Sequence, residues 1–568
     1  MKIKRYLYFA TILILPLTFT ALMIKNNIVE VKSEWKREFY IHHLNNQQNI
    51  FNSGDYITKN QKKIDILHYD LFFDLFPDEK KFDASVVIKG LVKEKELKSI
   101  ELNFYDNFEI REVKLNGIKK GYINEDKLLA INSDDSVPLD TFELEVTYSG
   151  TPKRAGLEGF VFGKINGTSL VYNLSEPHYA SSWYPCNDFP SDKALLDIKI
   201  KNDSSQVSIS NGLLISIEDD GNRRTYHWKT NYPISTYLIA IYSSSYLHLS
   251  DNYISIDKQD TMAIDYYVLQ SNVEDAKKDF QEHPEILRFF SETFGEYPFI
   301  KEKYGVAEFL WRLGAMEHQT ITGVASNIID GNNFFLDIYI HELAHHWWGN
   351  AVGPKSWNDI WLNEGFSTYS EALYYEFKSG KSALKSSMLS KSLGSFSTEL
   401  GNPGSFLFSQ TVYNKGAWVL HMLRWELGDK TFFNVLRKYY EKFKYSNAST
   451  EDFKNICELL SGENLTKFFD QWLMGTGKIE LIYNWSSKKI ASDYETVIKL
   501  EQIQDGYDEY FFNLGVNFKY DNNEFETFRF NIESRTTELA VQSKNKPVEI
   551  ILDPDNWLLM MEPELVEN

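Results

Sequence analysis

The stretch His341-Glu342-Leu343-Ala344-His345 constrains this chain more than any other. It lies in a run from Phe334 to Ala351 that lacks Pro and reads as a helix. Residues four apart stand on one helical face, one turn from each other, so two imidazoles there can hold one metal ion. Glu342, next to the first histidine, can reach a water at an open metal position. A helix-period pattern resumes after Gly349, Gly353 and Pro354, and Glu364 lies in it, within Trp361-Leu362-Asn363-Glu364-Gly365. A second helix folding back there supplies a carboxylate as third ligand. Two histidines, a carboxylate and a water make a tetrahedral catalytic zinc site, so one zinc per chain is expected on His341, His345 and Glu364. Glu371 follows Glu364 by seven residues, two turns on the same face. It is placed either to orient a ligand histidine or to make a surface salt bridge.

Three fixed residues are a small signature by themselves; the setting makes this one specific. His346-Trp347-Trp348-Gly349 follows the motif, and eighteen residues separate His345 from Glu364. Two further blocks appear in order around it: Gly314-Ala315-Met316-Glu317-His318 before, and Tyr413-Asn414-Lys415-Gly416-Ala417 after. With these three blocks the chain resembles the gluzincin aminopeptidases, the group of aminopeptidase N and leukotriene hydrolase, over most of its length from about Lys62. The first flanking block is close to that family's Gly-Ala-Met-Glu-Asn, and the second is similar to its tyrosine block.

The resemblance implies an α+β multidomain fold: an N-terminal β saddle domain, a thermolysin-like α/β catalytic domain and a small C-terminal β-sandwich. It implies that Tyr413 stabilises an oxyanion. It makes Gly314, Ala315, Met316, Glu317 and His318 the substrate-binding segment, with Glu317 taking the substrate α-ammonium. Glu176, before Pro177 and His178, holds the place of an acidic residue that the β domain brings to the site. On the residues alone these positions are bland. The chain has 34 tyrosines, Gly-Ala-Met reads as a small-residue turn, and a Glu before Pro is usually a solvated loop residue. Two departures from the family pattern stand out. Leu174 occupies a position where glutamine is usual, and His318 one where asparagine is common. A histidine can still donate to a substrate carbonyl, but with a charge that varies near neutral pH.

A chain of 568 residues accommodates three or four domains with sizeable cores. The net charge of -20 argues against nucleic-acid binding, which needs clustered Lys and Arg. Cys186 and Cys457 make neither a disulfide framework nor a metal-ligand spacing.

Lys2, Lys4 and Arg5 precede an uncharged run from Tyr6 to Ile24. That run is long enough to span a membrane, with the basic flank keeping the first residues cytoplasmic. A membrane-anchoring segment over 1–25 is therefore expected, with the catalytic part extracytoplasmic; a cleaved signal peptide and a secreted protein are the alternative. A polar stalk follows over 26–61. From Lys63 the period changes to two. His68 to Leu75 and Ser85 to Leu91 read as strands broken at Pro77-Asp78-Glu79-Lys80, which opens a β-sheet domain over 62–250. The catalytic domain is expected over 251–475, with a helical pattern from Val273 to Phe294 interrupted by Pro284. A β-sandwich is expected over 476–568, ending near Asp553-Pro554. Relatives often continue with a large helical domain that covers the site, and a less enclosed site is expected here.

The expected activity is zinc-dependent removal of N-terminal residues from peptides, with Glu342 as general base. The alternatives are an epoxide hydrolase, like the leukotriene enzyme, and a non-enzymatic peptide-binding ectodomain. The intact metal set and Glu342 speak against the latter, since a binding module needs no general base.

Overall fold

The computed structural model describes residues 57–566, apart from 95–96, 138–139, 166, 312–313 and 405–406. A nine-stranded sheet opens the described chain. Its strand Ile64–Phe76 lies between Lys81–Val92, antiparallel, and Lys193–Asp203, parallel. The turn between the first two runs through Pro77, with Lys80 in the left-handed region at φ 54°. Lys81–Val92 alternates along its length, sending Phe82, Ala84, Val86 and Ile88 inward, as a period-two pattern requires. A five-stranded sheet packs in the same region. Its strand Thr168–Leu174 delivers the chain directly to Ser175 and Glu176.

A second five-stranded sheet carries the central region. Thr261–Val268, Tyr304–Phe309 and Thr322–Ala325 run parallel, while Leu247–Ile254 and Ala315–Met316 close its two edges antiparallel. The pairing of Leu247–Ile254 with Thr261–Val268 ties residues 247–254 to this sheet. Pro284 does not interrupt a helix. The chain forms Val273–Asp279 and then His283–Phe294, with Pro284 in the first turn of the second, where its missing N–H costs nothing.

The metal-motif helix is shorter than its pattern. It spans Leu336–Ala344, with His345 as its cap in helical φ/ψ. Beyond it the chain turns widely: Asn350 N–H reaches the His345 carbonyl and Ala351 N–H that of His346. Gly349, at φ 126°, makes that turn. The helix Trp361–Ser379 then folds back against Leu336–Ala344.

Two glycines bring a third helix in. Gly365 and Gly416 pack backbone to backbone, and a Cβ built on either would stand 2.8–2.9 Å from the other's main chain. The helices Trp361–Ser379 and Gly416–Phe443 therefore touch at the residues that follow Glu364 and Lys415. This close approach puts the tyrosine block beside the metal motif.

The C-terminal part has a four-stranded and a three-stranded sheet. Ile498, Leu500 and Leu539 from one, and Leu514, Val516 and Phe518 from the other, are buried. The pairing continues past Asp553-Pro554, because Glu564–Leu565 joins Leu481–Ile490 in parallel. One continuous apolar core runs through all these regions. The architecture is thus α+β: a β-rich N-terminal part, a central part with the helices, and a β-rich C-terminal part.

The expected single-pass membrane helix is corrected. Among the described residues no helix is long and apolar enough to cross a membrane. Gly416–Phe443 is broken at Gly428, at φ 74°, and carries Arg424, Glu426, Asp429 and Lys430 within it. The run Tyr6 to Ile24, on which the anchor and the extracytoplasmic placement rested, lies outside the described residues.

Candidate active site and metal centre

His341 and His345 stand on one face of the helix Leu336–Ala344, and Glu364 on the first turn of Trp361–Ser379. Their side chains converge. The two Nε2 atoms are 3.0 Å apart, and Glu364 Oε2 lies 3.2 Å from that of His341 and 3.4 Å from that of His345. Ligand atoms at zinc–nitrogen distances around a tetrahedral centre stand about 3.3 Å from each other. The triangle therefore has the size that one zinc requires.

The other ring nitrogens are already engaged. His341 Nδ1 lies 2.7 Å from Glu371 Oε1, and His345 Nδ1 lies 3.0 Å from the Trp348 carbonyl oxygen. Both partners are acceptors, so each Nδ1 carries a proton and each Nε2 points into the centre, where a metal ion would take the place of a proton. Glu371 is held in turn by Lys391 Nζ, 3.1 Å from its second oxygen.

The electrostatics also call for a cation. Glu176, Glu317, Glu342, Glu364 and Glu371 are all buried around the two histidines. Burial works against a charge on His345, yet Glu317 and Glu364 draw its pKa up to about 10. Burial likewise opposes charge on Glu364, but the two histidines hold it at about 2. Glu342, by contrast, is pushed by burial up to about 8. A dication would answer these carboxylates and draw Glu342 back toward its ionised form.

Around the triangle is a cleft with about 770 Å³ of open space. Gly314, Ala315, Met316 and Glu317 line it, the first at φ 146°. Ala315–Met316 forms the sheet's outermost strand there, so one side of its backbone has no strand partner among the described residues. Glu176 reaches the cleft from the end of its β-strand, and its carboxylate groups with those of Glu317 and Glu364 within 4.8 Å. Glu317 also groups with Glu342 and His345. Each of Glu176, Glu317 and Glu342 keeps one buried carboxylate oxygen with no hydrogen-bond partner among the described residues. Tyr413 sits in the wide turn Thr411–Lys415, and its ring stacks on His341 with centroids 5.7 Å apart. His318 is not among the residues lining the cleft. It is buried, its Nδ1 lies 2.5 Å from the Tyr242 hydroxyl, and burial pushes its pKa down to about 3. Its ring is thus neutral across the physiological range rather than variably charged.

The peptidase M1 N-terminal domain matches residues 66–238, and the peptidase family M1 domain matches residues 279–472. The chain belongs to peptidase family M1. The chain is 25% identical to a probable aminopeptidase 1 of Sulfurisphaera tokodaii over 444 residues, covering 73% of this M1 chain and 53% of that relative. It spans about half the length of the curated relatives it matches. An M1 zinc metallopeptidase from Deinococcus radiodurans superposes with a TM-score of 0.63 at 25% identity, over 73% of this chain and 94% of that one. Legionella pneumophila aminopeptidase A, at 17% identity, shares the fold with a TM-score of 0.79 over 91% of this chain and 61% of its own. Zinc is the metal of this family, and the donor set of His341, His345 and Glu364 fits it.

Several residues of this M1 site were not singled out from the sequence. Leu157, Trp311, Ile338 and Phe408 form apolar wall of the cleft, and no local pattern marks them. Asp337 also lines it, four residues before His341; the helical period places it on the ligand face. Lys391 and the Trp348 carbonyl gave no signal, because each acts through a contact made only in three dimensions.

Proposed function

We propose that this chain is a zinc aminopeptidase that removes N-terminal residues from peptides. The observation that carries this reading is the pair Glu317 and Glu176. These are two buried carboxylates, each with an oxygen unpartnered among the described residues, beside the triangle of candidate metal donors. A zinc site with a base cleaves whatever peptide bond lies over it, so an exopeptidase needs a device that measures distance from the N-terminus. Carboxylates next to the metal do this by accepting charge-assisted hydrogen bonds from the substrate α-ammonium.

His341, His345 and Glu364 would hold the zinc, with Glu371 and the Trp348 carbonyl fixing the two imidazoles. Zinc, when bound, polarises a peptide carbonyl and lowers the pKa of a water to about 7. Glu342 takes the water's proton on its free carboxylate oxygen and passes it to the leaving amine nitrogen. The Tyr413 hydroxyl donates to the oxyanion that develops on the carbonyl oxygen. The backbone of Gly314, Ala315 and Met316 offers an extended peptide a strand edge to lie against.

The test compares a free tripeptide with its N-acetylated form. Acetylation removes the ammonium, so cleavage falls sharply, and Glu317→Ala loses most of its activity on the free peptide. Equal hydrolysis of both peptides by the wild type marks an endopeptidase and overturns the reading.

A further inference from the structure

Glu317 can measure distance to the metal only if its own segment is held at a fixed distance from the metal helix. The segment Glu317 to Thr320 lies outside any strand or helix, so regular secondary structure does not hold it. Side chains do: Asn211 donates to the Gln319 carbonyl and Tyr242 meets His318 from the β domain, and two more come from the turn that follows the motif. Asn350 Nδ2 donates to the Glu317 carbonyl at 2.7 Å, and His346 Nε2 accepts the Thr320 N–H at 3.1 Å. One contact grips each end of the segment. His346 is also tied to the metal helix, since its Nδ1 lies 3.3 Å from the carbonyl of Glu342, one turn back. With Nε2 accepting, Nδ1 carries the proton and donates to that carbonyl. The imidazole is thus a strut from the backbone of Glu342 to the backbone of Thr320.

Two further features agree with a segment that is held in place. Thr320 is a β-branched residue in the left-handed region, at φ 65°, a conformation that persists only where surroundings enforce it. Its hydroxyl accepts the Gly212 N–H at 2.9 Å. The turn bearing Asn350 is held from the opposite side as well. Lys193, from the first sheet, donates to the carbonyls of Asn350 and Ala351 at 2.7 and 3.1 Å. His346 and Asn350 are both almost fully buried and do not line the cleft.

We infer that His346 and Asn350 are positioning residues that set the spacing between the amine anchor Glu317 and the metal ligands. This rests on the aminopeptidase reading above, and the experiment separates the two. The wild type is first assayed on a free tripeptide and its N-acetylated form; a lack of discrimination there sinks the aminopeptidase reading itself. His346→Ala, His346→Gln, Asn350→Ala and Asn350→Asp are then purified, and zinc content, kcat and KM are measured for each.

Loosening the anchor weakens the ammonium contact rather than the chemistry. His346→Ala and Asn350→Ala should therefore raise KM for the free tripeptide about tenfold, with kcat within about threefold of wild type and zinc at one per chain. Discrimination against the acetylated peptide should shrink in parallel. His346→Gln should restore KM, because a glutamine amide can also accept the Thr320 N–H. Asn350→Asp, isosteric but unable to donate to the Glu317 carbonyl, should behave like Asn350→Ala and guards against a folding defect in the latter. If the alanine variants keep wild-type KM and discrimination while the wild type discriminates, the inference is overturned. It is equally overturned if kcat or zinc content falls with KM unchanged, or if His346→Gln is as impaired as His346→Ala.

Discussion

Glu376, near the end of the helix Trp361–Ser379, sits among charges that are all answered, whereas Glu364, near its start, sits among several that are not. At Glu376 the Arg424 guanidinium makes a two-pronged contact, Nη1 to Oε2 at 2.6 Å and Nη2 to Oε1 at 3.1 Å, and its Nε reaches Asp429 at 2.8 Å. Arg424 is only 3% exposed, so the pair is made where it is strongest. At the other end of the helix, Glu176, Glu317 and Glu342 each keep a buried oxygen without a partner among the described residues. Native structures leave few such groups, because each costs stability. The two ends of one helix therefore differ: at one the buried charges are paired with each other, and at the other, on the function proposed above, unpaired oxygens are kept for a metal, a water and a substrate.

Three experiments press on that contrast. The largest effect belongs to Glu342→Gln. The substitution keeps the volume and removes the base, so turnover should fall by about a hundredfold to ten-thousandfold, while zinc analysis still gives one per chain. Near wild-type turnover would mean that the free oxygen of Glu342 takes no proton. Arg424→Met comes next and should do the reverse. Leaving Glu376 without its guanidinium should cost about 3 kcal/mol of stability, read from denaturant unfolding, with kcat/KM within about twofold of wild type. A loss of turnover comparable to that of Glu342→Gln would show that the two clusters are not separate. The smallest effect is expected from Glu317→Gln in zinc-free protein. Removing one of several buried like charges should raise the melting midpoint by about 1–2 °C, although the same change impairs cleavage of free peptides. A drop in the midpoint would place Glu317 with the answered charges and erase the distinction.

The convergence of His341, His345 and Glu364 was legible because it is a matter of helical period. His341 and His345 one turn apart, Glu364 in a second helical run and Glu371 two turns beyond it need only 3.6 residues per turn to be aligned. The helix around the histidines was overextended, since the pattern through Ala351 continues across Gly349, where the backbone at φ 126° leaves the helix. Resemblance to a family, rather than any pattern, pointed to Glu176, Glu317 and Tyr413. His318 illustrates the limit of that route. Its identity suggested a variable charge in the cleft, and its burial against Tyr242 makes it a neutral ring outside it.

By itself, then, the sequence determined the elements whose logic is periodic: the alternating strands at His68 to Leu75 and Ser85 to Leu91, the two-histidine face and the carboxylate on the next helix. Tertiary structure alone decided which distant segments meet. Glu176 arrives from a β-strand more than a hundred residues before the metal helix. Tyr413 comes within reach because Gly365 and Gly416 allow two backbones to touch. Asn350 and His346 find Glu317 and Thr320 through hydrogen bonds that span 33 and 26 residues. Periodicity reports how one element faces its surroundings. Contacts of this kind depend on how whole elements pack, and close packing of many side chains at once has no signature in any single stretch of chain.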